Sequence, residues 1–211
     1  MQGTDAIFYI AILIMSIVIH EVSHGFVAEY FGDGTARNAG RLTLNPVNHI
    51  DLFGSIFLPA VLVFTGSPFL FGWAKPVPYN PVNLRDRKWG TMWVAAAGVL
   101  SNFFMAILFG LVIRFAPAFG LPPFDPVSTH PFYFITMAIV VVNLALGIFN
   151  LVPIPPLDGS KILFSFLPES MSSLVFRYEQ YSLVLLLVFL FFFAGYLSPI
   201  IGFVFSLVTG L

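Results

Sequence analysis

Residues 6–26 read AIFYIAILIMSIVIHEVSHGF. From Ala6 to Ile19 there is no charged side chain, and then two imidazoles and a carboxylate arrive together as His20-Glu21-Val22-Ser23-His24. Side chains four apart on a helix share one face, so His20 and His24 can hold a single metal ion between them. Glu21 is turned about 100° from His20, within reach of a water on that ion without having to be a ligand. Ionisable groups inside a membrane helix are costly unless they are paired or functional. Two buried histidines bonded only to carbonyls would still leave Glu21 without a partner, so a metal site is the better reading.

The rest of the chain has the same apolar character. Its 211 residues are 58% hydrophobic and 9% charged, with 26 Phe, whereas soluble domains carry about a quarter charged residues. Composition alone therefore makes it an integral membrane protein. A net charge of −1 offers nothing for nucleic acid to bind. There is no cysteine, which excludes disulfides and thiolate zinc sites. The first apolar run lacks a basic n-region and a small-x-small cleavage site and continues into the histidine motif. It is read as a retained helix, not a signal peptide.

Hydropathy and breakers predict an all-α polytopic membrane protein. A first helix is expected over residues 5–31, stopped by Gly32-Asp33-Gly34. Residues 38–48 (NAGRLTLNPVN) alternate Arg41, Thr43 and Asn45 with Leu42 and Leu44, which predicts a short membrane-associated strand or β-hairpin. Residues 52–73 are apolar but broken by Gly54, Pro59, Gly66, Pro68 and Gly72, which predicts a re-entrant or interfacial segment. A polar, proline-rich loop follows over 75–88. Further spans are expected over 90–115, with Gly98, Ser101 and Asn102 inside, and over 132–152, with Asn143 and Asn150 inside. Residues 183–194 form the core of a fourth span, and 197–211, interrupted by Pro199 and Gly202, make a short fifth or lie in the interface. With no internal repeat, residues 1–211 are expected to form one domain.

Two histidines leave zinc one protein ligand short, since catalytic sites have three and an open position. No Glu occurs between Glu29 and Glu169, so the candidates are Asp33, Asp51, Asp86, Asp125, Asp158 and His49. Asp158 stands out because Pro153, Pro155 and Pro156 break the helix just before it. Broken backbone at membrane depth is tolerated only where it lines protein or a wet cavity. The alternative role for Asp158 is an N-cap of the next segment. Topology bears on the choice. If 52–73 does not cross the bilayer, the span over 132–152 returns to the side where the first helix ended, and Asp158 meets the histidines. The same path gathers Arg37, Arg41, Lys75, Arg85, Arg87, Lys88 and Lys161 on one side, which the positive-inside rule makes cytoplasmic.

Four stretches together, His20–His24, G-R-L-T-L-N-P-V-N-H-I-D (residues 40–51), F-G-W-A-K-P-V-P (71–78) and N-L-V-P-I-P-P-L-D-G (150–159), resemble the site-2 protease family of intramembrane zinc metalloproteases. The resemblance covers about residues 7–161. It implies a three-span catalytic core, to which the hydropathy pattern adds one or two C-terminal spans over about 173–211, and one zinc ion held by His20, His24 and Asp158. Glu21 is implied as general base, and transmembrane helices of other proteins as substrates. The chain departs from the family pattern at Val99, since many members read Ala-Gly-Pro where this chain has Ala97-Gly98-Val99. No PDZ or CBS-type domain is recognisable, so substrate selection and nucleotide regulation are expected to be absent or delegated, with a homo-oligomer or an adaptor as open partners.

For the chemistry, zinc and Glu21 would activate water, and Asn150 or Asn102 would donate to the oxyanion; interhelical hydrogen bonding is the equal alternative for both amides. An unwound substrate segment is expected against Gly40, Arg41, Leu42, Thr43, Leu44 and Asn45 by β-addition. The expected location is the plasma membrane of a prokaryote, with the site nearer the cytoplasmic face. Two rival functions remain at this point: an inactive zinc-containing membrane binding protein, and an ion transporter. Glu21 beside the ligands weighs against the first, and the single cluster without an inverted repeat against the second.

Overall fold

The computed structural model describes residues 3–57, 61, 64, 74–125 and 130–211. Helix α1 (Gly3–Tyr30) is followed by a single turn, α2 (Thr35–Asn38), and by the long α3 (Arg87–Phe115). Then come α4 (Pro131–Leu151), α5 (Asp158–Phe166), α6 (Ser172–Gln180), α7 (Ser182–Phe192) and α8 (Leu197–Thr209). Residues Ile7–Tyr30, Arg87–Phe119 and Pro131–Leu151 are long and apolar enough to cross a membrane. The first three of the spans expected from the hydropathy pattern are therefore present, with ends within a few residues of those expected.

The helix ends follow from local chemistry. Gly32 takes φ of 106°, a conformation costly for other residues, and lets Asp33 N–H close α1 onto Ala28 O. Asp86 caps α3 by accepting from Trp89 N–H at 2.9 Å. His130 Nδ1 accepts from Phe132 N–H at the start of α4, where Pro131 has no N–H to satisfy.

Helix α3 is the shared wall. Gly98, Asn102, Ala106, Gly110 and Ile113 are buried on one side, while Leu100, Phe104, Ile107, Leu111 and Phe115 form an exposed stripe at helical spacing. That division, small and polar inward and large apolar outward, is what a helix with one face to protein and one to lipid requires. Ala106 and Ile113 pack with Tyr133, Val140 and Leu144 of α4 and with Ile201, Val204 and Phe205 of α8. Val208 of α8 lies where a side chain at Gly110 would be, and Arg114 Nη1 donates to Leu207 O. Helix α8, expected as a short span or an interfacial segment, is docked against α3 and α4. Its 13 residues reach about 20 Å, short of a hydrocarbon core of about 30 Å. Helices α6 and α7 meet at a 63° bend and together have the length and apolarity of one broken span.

The expected β-hairpin is a correction. No strand occurs among the described residues, and 40–45 run as irregular chain between α2 and the short turn Pro46–His49. The alternation has another cause. Arg41 is turned inward onto Lys75 O and Pro76 O, Leu42 lies against Gly25, and Leu44 is exposed. Asn45 is the cap of the next turn, accepting from Val47 N–H. Of the re-entrant segment expected over 52–73, a π-helical turn, Leu52–Phe57, is described. Residues 58–60, 62–63 and 65–73 lie outside the described residues.

Asp33 ties the end of α1 to the loop before α3. It accepts from Thr35 N–H and Oγ1–H, from Asn80 N–H at 2.6 Å and from Asn83 Nδ2 at 2.9 Å. Burial alone would raise its pKa, but these hydrogen bonds outweigh burial and hold the carboxyl below the usual range. A carboxyl lowered on folding stabilises above its unfolded pKa of about 4, and the contribution is lost as pH falls through the folded value. The melting midpoint of the detergent-solubilised protein should thus fall between about pH 5 and pH 3. Asp33→Asn should lose about 2 kcal/mol at neutral pH and flatten that acid dependence. An unchanged midpoint at neutral pH would contradict the role given to Asp33.

Candidate metal centre

Three elements bring the site together. His20 and His24 project from one face of α1, a turn apart. Asp158 is the first residue of α5, directly after the proline-broken end of α4. Asp158 Oδ2 lies 3.1 Å from His20 Nε2 and 3.2 Å from His24 Nε2, and the two Nε2 atoms are 3.0 Å apart. All three side chains are buried. Among the described residues this is the one group of His, Cys, Asp or Glu that can hold a metal ion.

The outer nitrogens decide the tautomer of each neutral ring. His24 Nδ1 is 2.6 Å from Val94 O, a carbonyl that can only accept, so Nδ1 carries the proton. His20 Nδ1 is 2.6 Å from Asn102 Oδ1. The amide orientation there is fixed by a chain: Asn143 Nδ2 donates to Ile139 O, so Asn143 Oδ1 accepts from Asn102 Nδ2 at 2.9 Å, and Asn102 Oδ1 is left for His20. Asn143 Nδ2 also donates to Ser16 Oγ back on α1. In their neutral forms both imidazoles therefore present bare Nε2 lone pairs to each other and to a carboxylate oxygen. A proton can bridge one pair of these atoms, but only an ion between them satisfies all three.

The size of the triangle fits zinc. Bonds of about 2.0–2.1 Å in tetrahedral geometry put neighbouring ligand atoms about 3.3 Å apart. Space is kept for this arrangement by two glycines. A Cβ at Gly98 would lie 2.5 Å from His24 Nε2 and 2.6 Å from His20 Cε1, so α3 can approach the imidazoles only without a side chain. A Cβ at Gly159 would lie 2.1 Å from Leu151 O, so the tight return that delivers Asp158 also requires glycine.

Glu21 stands beside the cluster, half-buried, with Oε2 accepting from Val77 N–H at 2.9 Å. The other sequence candidates are engaged elsewhere. Asp33 and Asp86 serve the loop and the cap described above, and Asp51 Oδ1 accepts from Gly54 N–H. His49 is buried with Nε2 on Thr43 O. Glu29 pairs with Arg37. Asn102 is fully buried with both ends of its amide in use, so it holds His20 rather than facing an open site. Asn150 is half-buried near the end of α4 and donates to Leu146 O. The amide of Asn143, the Val77 N–H, the carbonyl of Val94 and the ammonium of Lys161, 3.6 Å from Asp158 Oδ1, were not singled out from the sequence.

Comparison with known proteins names the family. The model of peptidase family M50 matches residues 125–194, the part that contains Asp158. YwhC of Bacillus subtilis (strain 168), a candidate zinc metalloprotease by name, is 36% identical over 176 residues, which are 83% of this chain and 76% of YwhC. The chain belongs to peptidase family M50. This is the site-2 protease family of the sequence resemblance, and membership makes the chain a metalloprotease with zinc as its metal. Rip2 of Mycolicibacterium smegmatis (strain ATCC 700084 / mc(2)155), also a candidate zinc metalloprotease by name, is 30% identical over 171 residues, 80% of this chain and 61% of Rip2. Rip2 of Mycobacterium tuberculosis (strain ATCC 25618 / H37Rv) is 31% identical over 177 residues, 83% of this chain and 63% of its own length. No solved structure matches the chain at a significant level.

The arrangement of His20 and His24 depends on the cleared surface of α3. Gly98→Ala should reduce metal retention about tenfold or more in competition with a chelator, because the added methyl displaces both imidazoles. Ser101→Ala, one turn away, should leave it unchanged. Equal retention in Gly98→Ala and the unmutated protein would show that the imidazoles do not need that space.

Proposed function

We propose that the protein is a zinc-dependent endopeptidase that cleaves within or near transmembrane segments, with His20, His24 and Asp158 as metal ligands and Glu21 as general base. The observation that carries this is the meeting of two imidazole Nε2 atoms and one carboxylate oxygen at 3.0–3.2 Å, beside a separate carboxylate, between helices fit to cross a bilayer. When bound, zinc supplies Lewis-acid chemistry, lowering the pKa of water towards about 7 and polarising a carbonyl.

Glu21 takes the proton of the attacking water and returns it to the departing amine. The Val77 N–H steadies Glu21 Oε2 and leaves Oε1 for that proton. The oxyanion needs a donor held in place beforehand. We assign this to Asn150, whose amide nitrogen gives one hydrogen to Leu146 O and has a second to give. A helical substrate hides its peptide bonds and must unwind to be cut. Residues Gly40, Arg41, Leu42, Thr43, Leu44 and Asn45 form the bank for the unwound segment, fastened by Arg41 to the carbonyls just before Val77.

Residues 1–211 act as one catalytic domain, its core about 6–161, in the plasma membrane of a prokaryote. Arg37, Arg41, Lys75, Arg85, Arg87, Lys88 and Lys161 all belong to segments at the end where α1 finishes and α3 starts, which the positive-inside rule makes cytoplasmic. The cysteine-free chain allows a direct check: Arg87→Cys should react with an impermeant thiol reagent only from the cytoplasmic side. Reaction from outside alone would reverse the orientation.

The central test of activity is Glu21→Gln, which keeps shape and loses the base. It should lower cleavage of a transmembrane substrate about a hundredfold or more while zinc content stays the same. Asp158→Asn should instead lose zinc, since a neutral amide is a poor ligand. Near-normal proteolysis by Glu21→Gln would remove Glu21 from the mechanism.

A further inference from the structure

Asp158 has two carboxylate oxygens, and only one faces the imidazoles. Oδ2 is the atom near His20 and His24, while Oδ1 points to the ammonium of Lys161, 3.6 Å away and a turn further along α5. That ammonium also stands over the ring of Tyr79, 5.7 Å from its centroid. Tyr79 lies in the same loop as Val77, whose N–H holds Glu21. The Lys161 side chain is 39% exposed and that of Asp158 only 8%, so the ammonium sits where water meets the ligand cluster.

Helix stability does not account for this lysine. A cation in the first turn of a helix opposes the positive end of the helix dipole, and an exposed pair three residues apart adds little. Its position is better explained by what it does to Oδ1. Carboxylates bind divalent ions through one oxygen or through both. A catalytic zinc site needs three protein ligand atoms and one open position. A second oxygen from Asp158 would close that position.

We propose that Lys161 is a positioning residue: its ammonium engages Asp158 Oδ1, so that Asp158 offers one oxygen to the metal and a coordination position stays open for water. The proposal rests on His20, His24 and Asp158 being the ligands. The face of Tyr79 holds the ammonium by a cation–π contact, so one loop orients both Glu21 and, through Lys161, the third ligand.

Cobalt(II) in place of zinc tests this in the full chain in detergent, because four-coordinate cobalt absorbs visible light more strongly than five-coordinate cobalt. The unmutated protein and Lys161→Arg should show the strong four-coordinate band. Lys161→Met should bind the same amount of cobalt with a weakened band, and with zinc its kcat should fall about tenfold at unchanged KM. Tyr79→Leu should shift both readouts in the same direction by less. A wild-type spectrum and kcat in Lys161→Met would overturn the proposal, as would loss of cobalt from that variant, which would make Lys161 a part of metal retention instead. If the unmutated protein takes up no cobalt, the ligand assignment falls and the proposal falls with it.

Discussion

Two imidazole lone pairs and a carboxylate oxygen face one another at 3.0–3.2 Å inside a protein whose surroundings are hydrocarbon. With both rings neutral and no cation between them that arrangement is repulsive, and the low dielectric makes it more so. Much of the structure serves to hold these atoms in place regardless. His24 is fixed by the Val94 carbonyl, and His20 by a chain of amides that runs through Asn102 and Asn143 and returns to α1 at Ser16. The three spans are thus joined by polar contacts that also set the tautomer of His20. In a bilayer, where apolar faces gain little by meeting each other, such contacts and small-residue packing are what bring helices together.

Backbone geometry supplies the rest. Gly98 lets α3 lie against the imidazole rings, and Gly159 lets α5 turn back on the end of α4, so that a residue 134 positions beyond His24 arrives beside it. The loop of residues 74–80 closes the other side. It contributes the Val77 N–H to Glu21 and the Tyr79 ring to Lys161, and Arg41 pins it to the segment after α2. Glu21, Asp158 and the neighbouring chain are therefore parts of one connected frame, which is how a site made of so few residues can be kept in order.

The spans were legible because uninterrupted hydropathy has few other causes. The meeting of His20, His24 and Asp158 was legible because helical spacing, the proline break and the parity of crossings all converge on it. Residues 38–48 misled because alternation is a statement about sides, not about hydrogen-bond partners. Arg41 faces inward to cap carbonyls, and no neighbouring strand pairs with the segment among the described residues. Asn102 was legible as an important amide but not as a support for His20, because its orientation depends on Asn143, 41 residues away. Lys161 and Val77 act through a side chain and a backbone N–H that carry no pattern of their own. The docking of α8 against Gly110 likewise needs the tertiary structure to be seen.

The most direct measurement is X-ray absorption at the zinc edge on the purified, unmutated protein. One zinc per chain is expected, with only nitrogen and oxygen neighbours at about 2.0–2.2 Å and outer-shell scattering from two imidazole rings. Zinc that is absent, or that sits in an all-oxygen shell without imidazole scattering, would contradict the centre described here.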